Sequence, residues 1–143
     1  MKAEILVAGE PAEAPALVLT APISFWGGVN PKSGRIADVR HPQHGLSISG
    51  KVLCLPGTIG SSSAAAVLLE LVTAGLAPAA IILHEPDAIL LLGLIVAQEM
   101  GHPVPMALRL DRGEFAGFAG HELAIGCDGS VLISPLAVEK GFS

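Results

Sequence analysis

The alternation of short apolar runs with turn-forming residues sets out a chain of brief strands around two helices. Lys2 to Ala8 and Ala16 to Thr20 have strand character, and the Pro-rich stretch Pro11 to Pro15 between them predicts a turn, hence an N-terminal hairpin. Ser47 to Leu55 alternates and then becomes apolar, a strand that enters the core. Ala64 to Val72 predicts a helix ended by Gly75 and Pro78. Ala79 to Leu83 reads as a short buried strand, after which Asp87 caps a second helix, Ala88 to Met100, closed by Gly101 and Pro103. That helix is apolar on nearly every face, so it is expected to be sandwiched between other elements. Val104 to Leu110 predicts a strand and Asp111 to Phe118 a short helix. His121 to Ile125 and Ser130 to Ile133 form a terminal hairpin across Gly126 to Gly129. This order is mixed α/β, with βα units in the middle and hairpins at the ends. No repeat or linker interrupts it, so residues 1–143 are expected to form one domain.

One stretch fits neither period. Pro22 to Ile36, continuing through Asp38, Arg40, His41-Pro42 and His44-Gly45, is dense in glycine and proline and holds the chain's one tryptophan, Trp26. So long a loop inside a small domain is uncommon and usually functional. Glycine and proline together supply 28 of 143 residues, against roughly an eighth in average proteins, so the chain turns often. Aromatic residues number five, Phe25, Trp26, Phe115, Phe118 and Phe142, with no tyrosine, so the core must be aliphatic.

Charge narrows the function classes. The net charge is −5, hydrophobic residues make 51% of the chain and charged residues 15%. Such a chain folds rather than staying disordered, and an acidic balance without clustered Lys and Arg argues against a nucleic-acid partner. The longest apolar run, Ala88 to Ala97, has ten residues, while a membrane span needs about 20. The N-terminus lacks the apolar core of a signal peptide, so a cytoplasmic location is expected. Cys54 and Cys127 are separated by 73 positions and neither lies in a CxxC pair, so a Cys-only metal site is not expected in this chain. The apolar excess hints at surface buried against a partner.

The strongest chemical feature is Gly60-Ser61-Ser62-Ser63, where a strand and loop run into a helix. A helix start leaves backbone N–H groups without partners and carries about half a positive charge, so glycine and serines there can cradle a carboxylate or a phosphate. The plainer reading is that one serine is the N-cap and the others fill the first turn. The segment is not a P-loop, because no lysine follows the glycine. A serine hydroxyl ionises well above the ~10 of tyrosine, and a helix terminus supplies at most about 2 kcal/mol. A serine base here therefore needs cations or a metal from elsewhere, and no Lys or Arg lies between Lys51 and Arg109.

The histidines are weaker candidates. His41 and His44 lie three apart in the loop and lack a third ligand nearby, which favours a loop-ordering role over a metal site. His84 and Glu85 follow a buried strand at the end where open α/β sheets place ligands. His102 and His121 read as turn residues, and Glu70 and Glu99 as solvated. A Ser-His-Asp hydrolase would want a Gly-x-Ser-x-Gly elbow, and Gly60-Ser61-Ser62-Ser63-Ala64 lacks the second glycine.

With these residues in view, the sequence resembles the small subunit of aconitase X, the swivelling domain of an aconitase-superfamily dehydratase. Two blocks carry the resemblance. The first is Pro22-Ile23-Ser24-Phe25-Trp26-Gly27-Gly28-Val29-Asn30-Pro31 through Gly34, Asp38 and His41-Pro42. The second is Gly60-Ser61-Ser62-Ser63 through Gly75, Ala77-Pro78-Ala79-Ala80-Ile81-Ile82. The similarity runs from about Pro22 to about Pro105, and the family usually has Asp where this chain has Asn30.

The resemblance implies a β/β/α swivelling fold docked on a large subunit that carries an iron–sulfur cluster. It implies a catalytic role for Ser61, as acceptor of the proton next to a substrate carboxylate. It also implies a substrate contact at Ser62, with Gly60 and Ser63 completing the binding loop. Ser63 stands where aconitases have arginine, and loss of that bidentate clamp suits a substrate with fewer carboxylates than citrate. Ser24, Trp26 and His41 are the loop residues that would reach the site. Members of the family dehydrate cis-3-hydroxy-L-proline in bacteria or mevalonate 5-phosphate in archaea. The absence of Lys and Arg beside Ser61 leans to hydroxyproline, which would give pyrroline-2-carboxylate after loss of water. A non-enzymatic module that holds a small anion at the serine-rich helix start is the alternative from a different class.

Overall fold

A computed structural model describes residues 1–134. Phe142 and the remainder of 135–143 lie outside the described residues. In chain order the elements are β1 (Glu4–Val7), β2 (Ala12–Val18), a single turn α1 (Phe25–Gly28), and a two-residue ribbon of β3 (Val29–Asn30) and β4 (Arg35–Ile36). There follow β5 (Val52–Leu55), α2 (Ala64–Thr73), β6 (Ala80–Leu83), α3 (Ala88–Glu99) and β7 (Met106–Arg109). A 3₁₀ helix, Arg112–Gly117, leads to β8 (Glu122–Ile125) and β9 (Val131–Ile133).

Seven strands make one sheet in the order β1-β7-β6-β5-β2-β8-β9. The pairs β2–β5, β5–β6 and β6–β7 are parallel, and antiparallel pairing to β1 and to β8 flanks them. The two ends of the sheet then meet. Ala3 N–H donates to the Gly129 carbonyl at 2.9 Å, Val131 N–H to that of Met1 at 2.8 Å, and the Met1 ammonium to that of Val131 at 3.1 Å. The sheet therefore curls until its edges satisfy each other, which removes the open edge that would invite aggregation.

Side-chain alternation assigns two cores. Val52, Cys54, Ala80, Ile82, Met106 and Leu108 face the inside of the curl and pack with Phe115, Phe118, Leu123, Ile125 and Val131. Leu53, Leu55, Ile81, Leu83 and Ala107 face the other way and pack beneath α2 and α3. The two helices approach closely because Gly93 has no side chain: a Cβ there would lie 2.5 Å from the Ala65 carbonyl oxygen. Gly75 and Gly101 end α2 and α3 with φ of +74° and +86°, the left-handed conformation expected of residues that stop a helix.

The structure corrects three expectations. The N-terminal hairpin does not form: β1 pairs with β7, while Ala12 to Pro15 pairs with β8 and Ala16 to Val18 with β5. Pro15 sits where β2 changes partner, a position that needs no donor, so the Pro-rich stretch is strand rather than turn. The strand from Ser47 is confined to Val52–Leu55, because Gly50 at φ +68° breaks the run before it. α3 is not sandwiched. It packs on α2 along one side, while Ile89, Leu92, Ile95, Val96 and Met100 are exposed along the other. The short helix expected after β7 forms as a 3₁₀ helix between Asp111 and Phe118, and its Phe115 and Phe118 enter the interior of the curl.

Two measurements check this packing. Gly93→Ala is expected to destabilise the protein by about 1–3 kcal/mol through overpacking, measured by denaturant unfolding; a loss of less than about 0.5 kcal/mol would contradict the close α2–α3 approach. Burial pushes the Cys54 thiol up to about 12, whereas Cys127 is exposed. A thiol reagent at neutral pH should therefore find one rapid equivalent in the native protein and a second after denaturation.

Candidate active site

All four parallel strands direct their C-terminal ends to the same side of the molecule, so the segments that follow β2, β5, β6 and β7 gather there. The serine loop follows β5. Ser61 and Ser63 are half-buried, and Gly60 and Ser62 exposed. Ser63 occupies the N-cap position of α2 but has helical backbone angles (φ −87°, ψ −6°) and makes no side-chain cap. Ser61 Oγ instead accepts from Ser63 N–H at 3.2 Å, and the Ser61 carbonyl accepts from Ala64 N–H at 3.2 Å. Among the described residues no hydrogen bond engages the Ser62 hydroxyl. The serines thus shape a tight turn ahead of the helix and leave its N-terminus open to an anion.

Two contacts brace this loop from opposite sides. Thr58 Oγ1 donates to Asp87 Oδ2 at 2.7 Å, and Asp87 Oδ1 accepts from Ile89 N–H at 3.0 Å and Leu90 N–H at 3.1 Å. One carboxylate therefore caps α3 and holds the serine loop. On the other side Ile59 N–H donates to the Ile23 carbonyl at 3.0 Å, and Ile23 pairs with Thr58 as a parallel bridge. This contact joins the two sequence blocks, 22–42 and 60–82, that lie apart in the chain. Asp87 was legible as a helix cap, but its bond to Thr58 was not, because a lone threonine after Pro56-Gly57 gives no signal.

The first block divides its residues between inside and outside. Phe25 is buried against the α2 side of the core, whereas Trp26 is 62% exposed. α1 is irregular: Trp26 has extended angles and Gly27 a φ of +79°, so the turn reverses and presents the indole outward. Ser24 precedes it, half-buried, without a side-chain cap. Asn30 Oδ1 accepts from Lys32 N–H at 2.9 Å, an Asx turn that aspartate can also make, so the residue exchange leaves the ribbon intact.

His41 lies elsewhere in the loop's architecture. It is buried, its Nε2 lies 3.1 Å from the Ala21 carbonyl, and its Nδ1 accepts from Gln43 N–H at 3.0 Å. Both ring nitrogens are occupied by backbone, so His41 orders the loop. The Gln43 side chain continues the fastening, accepting from Thr20 N–H at 2.9 Å and donating to the Val18 carbonyl at 2.9 Å. Sequence reasoning missed Gln43 entirely. His44 and His121 are exposed, and His102 is half-buried. His84, after β6, accepts at Nδ1 from Arg112 N–H at 3.0 Å, while its carbonyl accepts from Arg109 Nε at 3.1 Å.

The iron–sulfur cluster that the resemblance implies does not fit the residues present. A thiolate is the ligating form of cysteine, yet Cys54 is fully buried inside the curl with its thiol pushed up to about 12, and Cys127 lies in the turn between β8 and β9. Among the described residues no group of three or more His, Cys, Asp and Glu is arranged to hold a metal ion. No described helix is long and apolar enough to cross a membrane.

Comparison with known proteins agrees with this geometry. The Aconitase X swivel domain family matches residues 1–132. A cis-3-hydroxy-L-proline dehydratase of Pseudomonas aeruginosa is 46% identical over 123 residues, covering 85% of this chain and 21% of that protein. A phosphomevalonate dehydratase small subunit of Methanothermobacter thermautotrophicus is 47% identical over 83 residues, covering 58% of this chain and 63% of that one. The chain thus spans about a fifth of the first relative and under two thirds of the second. Among solved structures, the holo-form of aconitase X from Thermococcus kodakaraensis superposes with a TM-score of 0.79 at 30% identity, covering 93% of this chain and 96% of that one. The curled α/β sheet, the convergent serine loop and these matches together show that the chain belongs to the aconitase X swivel-domain family.

Proposed function

We propose that this chain is the small, swivelling subunit of a heteromeric hydro-lyase that dehydrates cis-3-hydroxy-L-proline, with Ser61 as the base. The observation that carries this reading is the open N-terminus of α2 beneath the partly exposed Gly60-Ser61-Ser62-Ser63 turn, braced on both sides and joined to the Trp26 segment. A substrate carboxylate placed at the helix start would meet unpaired N–H groups and a favourable dipole. Ser62 and Ser63 would hold it, and Ser61 Oγ would take the proton from the adjacent ring carbon. The hydroxyl on the next carbon leaves as water, giving an enamine that rearranges to pyrroline-2-carboxylate.

The chain carries only part of this chemistry. Ser61 needs a positive field to act as a base, and no Lys or Arg lies between Lys51 and Arg109. The missing charge and the iron–sulfur cluster are assigned to a large subunit that closes over the loop. Participation of such a partner is supported by relatives that are named small subunits. The cytoplasmic location expected from the sequence belongs to the same proposal. A second reading, dehydration of a phosphomevalonate, is favoured by the identity to archaeal small subunits. It requires the partner to provide the whole phosphate site.

Ser61→Ala, assayed in the reconstituted pair, should lower turnover by about 10²–10⁴-fold, the usual contribution of a positioned base, while co-elution of the two subunits persists. An active Ser61→Ala beside an inactive Ser62→Ala would move the base by one position. If both variants are fully active, the serine loop has no catalytic role, and calorimetric binding of small anions by the chain alone would favour the module reading. Thr58→Val should raise hydrogen exchange across 58–63 and reduce kcat with the subunits still associated, and Thr58→Ser should restore both. Unchanged exchange in Thr58→Val would show that the Asp87 bond does not hold the loop.

A further inference from the structure

A cleft of about 360 Å³ opens between the Trp26 turn, the β3–β4 ribbon and α2. Its walls are apolar, from Val29, Pro31, Ala66 and Val67, and Trp26 and Glu70 both line it. We propose that this cleft binds a small ring ammonium group, with the Trp26 indole over its face and the Glu70 carboxylate as counter-ion. In substrate terms it is the subsite for the ring nitrogen of a proline-type amino acid.

The chemistry of the lining selects for a cation. Glu70 is the one charged residue among the described residues that line the cleft, and no described ion pair engages it. Two cations belong to the ribbon: Lys32, which follows the lining residue Pro31, is exposed and in no described ion pair, and Arg35 donates from Nη1 to the Gly45 carbonyl at 2.9 Å. An ammonium over an indole face gains about 0.5–1 kcal/mol at exposed sites and more when desolvated, and a carboxylate beside it adds roughly 0–1 kcal/mol. A phosphate or carboxylate would meet only repulsion from Glu70. Pyrrolidine-sized ligands also suit walls that carry few donors, since the ring carbons need no partners.

Position along the helix ties the cleft to the serines. Ala66 and Glu70 are four residues apart, both exposed, and fall on one side of α2, whose N-cap is Ser63. Long helical side chains lean over the preceding turn, so Glu70 covers the Ala66 level, about 4.5 Å along the axis from the N-cap Ser63. A zwitterion can then place its carboxylate at the helix start and its ammonium in the cleft, aligned with the helix dipole. This deepens the dehydratase reading and rests on it for the identity of the substrate, whereas the cleft itself stands on Trp26 and Glu70. It favours a proline-type substrate over a phosphorylated acid.

Trp26 is the chain's one tryptophan and there is no tyrosine, so intrinsic fluorescence reports on the cleft directly. The full chain is titrated at constant ionic strength with pyrrolidine hydrochloride, L-proline, tetrahydrofuran and inorganic phosphate. The expected result is a saturable change with pyrrolidinium and L-proline and none with the neutral ether or phosphate. Glu70→Gln should weaken the response by up to about fivefold, while Glu99→Gln on α3 leaves it intact. A response equal for ether and ammonium, or unaltered in Glu70→Gln, overturns the proposal. Ammonium binding together with an inactive reconstituted pair would keep the cleft and remove the dehydratase reading. An active pair without the fluorescence response would do the reverse.

Discussion

Val52 to Leu55 and Ala80 to Leu83 are eight residues with no accessible surface at all. Two adjacent parallel strands that are apolar on both faces cannot sit at a surface, and each face demands its own cover. Helices α2 and α3 supply one cover. The other comes from the sheet itself, which curls through β2, β8 and β9 until Met1 and Ala3 meet Val131 and Gly129. This double burial expels polar chemistry from the strands into the segments at their ends. The serine loop and the Asp87 cap therefore arise side by side, one after β5 and the other after β6, and the Thr58–Asp87 bond joins them.

Local signals made much of this legible. Apolar runs with glycine stops located α2 and α3, and the Asp87 cap and the terminal hairpin followed from residue type and spacing. What was lost depended on contacts distant in sequence. β1 has the composition of a hairpin strand, but its partner β7 lies about a hundred residues away, and nothing in Glu4 to Val7 names that partner. For Pro15, a turn signal was overridden because the strand changes neighbours there. For α3, an apolar outer side in the chain pattern did not mean a covered one, since Ile89, Leu92 and Ile95 remain open.

The candidate site shows the same division. The serine loop stood out because glycine and three hydroxyls precede a strong helix, and the Trp26 segment stood out because it has no period. That the two blocks touch through Ile23 and Ile59 was invisible, as was the fastening of the long loop by His41 and Gln43. On the proposed reading the start of α2 takes an anion beside the Ser61 hydroxyl, while no Lys or Arg lies between Lys51 and Arg109 to activate it. That shortage gives the acidic composition its place in the proposal, which assigns the missing charge to the surface of a partner.

The central claim is that this chain holds one half of a dehydratase site. The most direct measurement is formation of pyrroline-2-carboxylate from cis-3-hydroxy-L-proline by the purified chain, by a purified large subunit and by their mixture. The account predicts no turnover by either alone and turnover on mixing. Turnover by this chain alone, or by the large subunit with no gain on adding this chain, would contradict it.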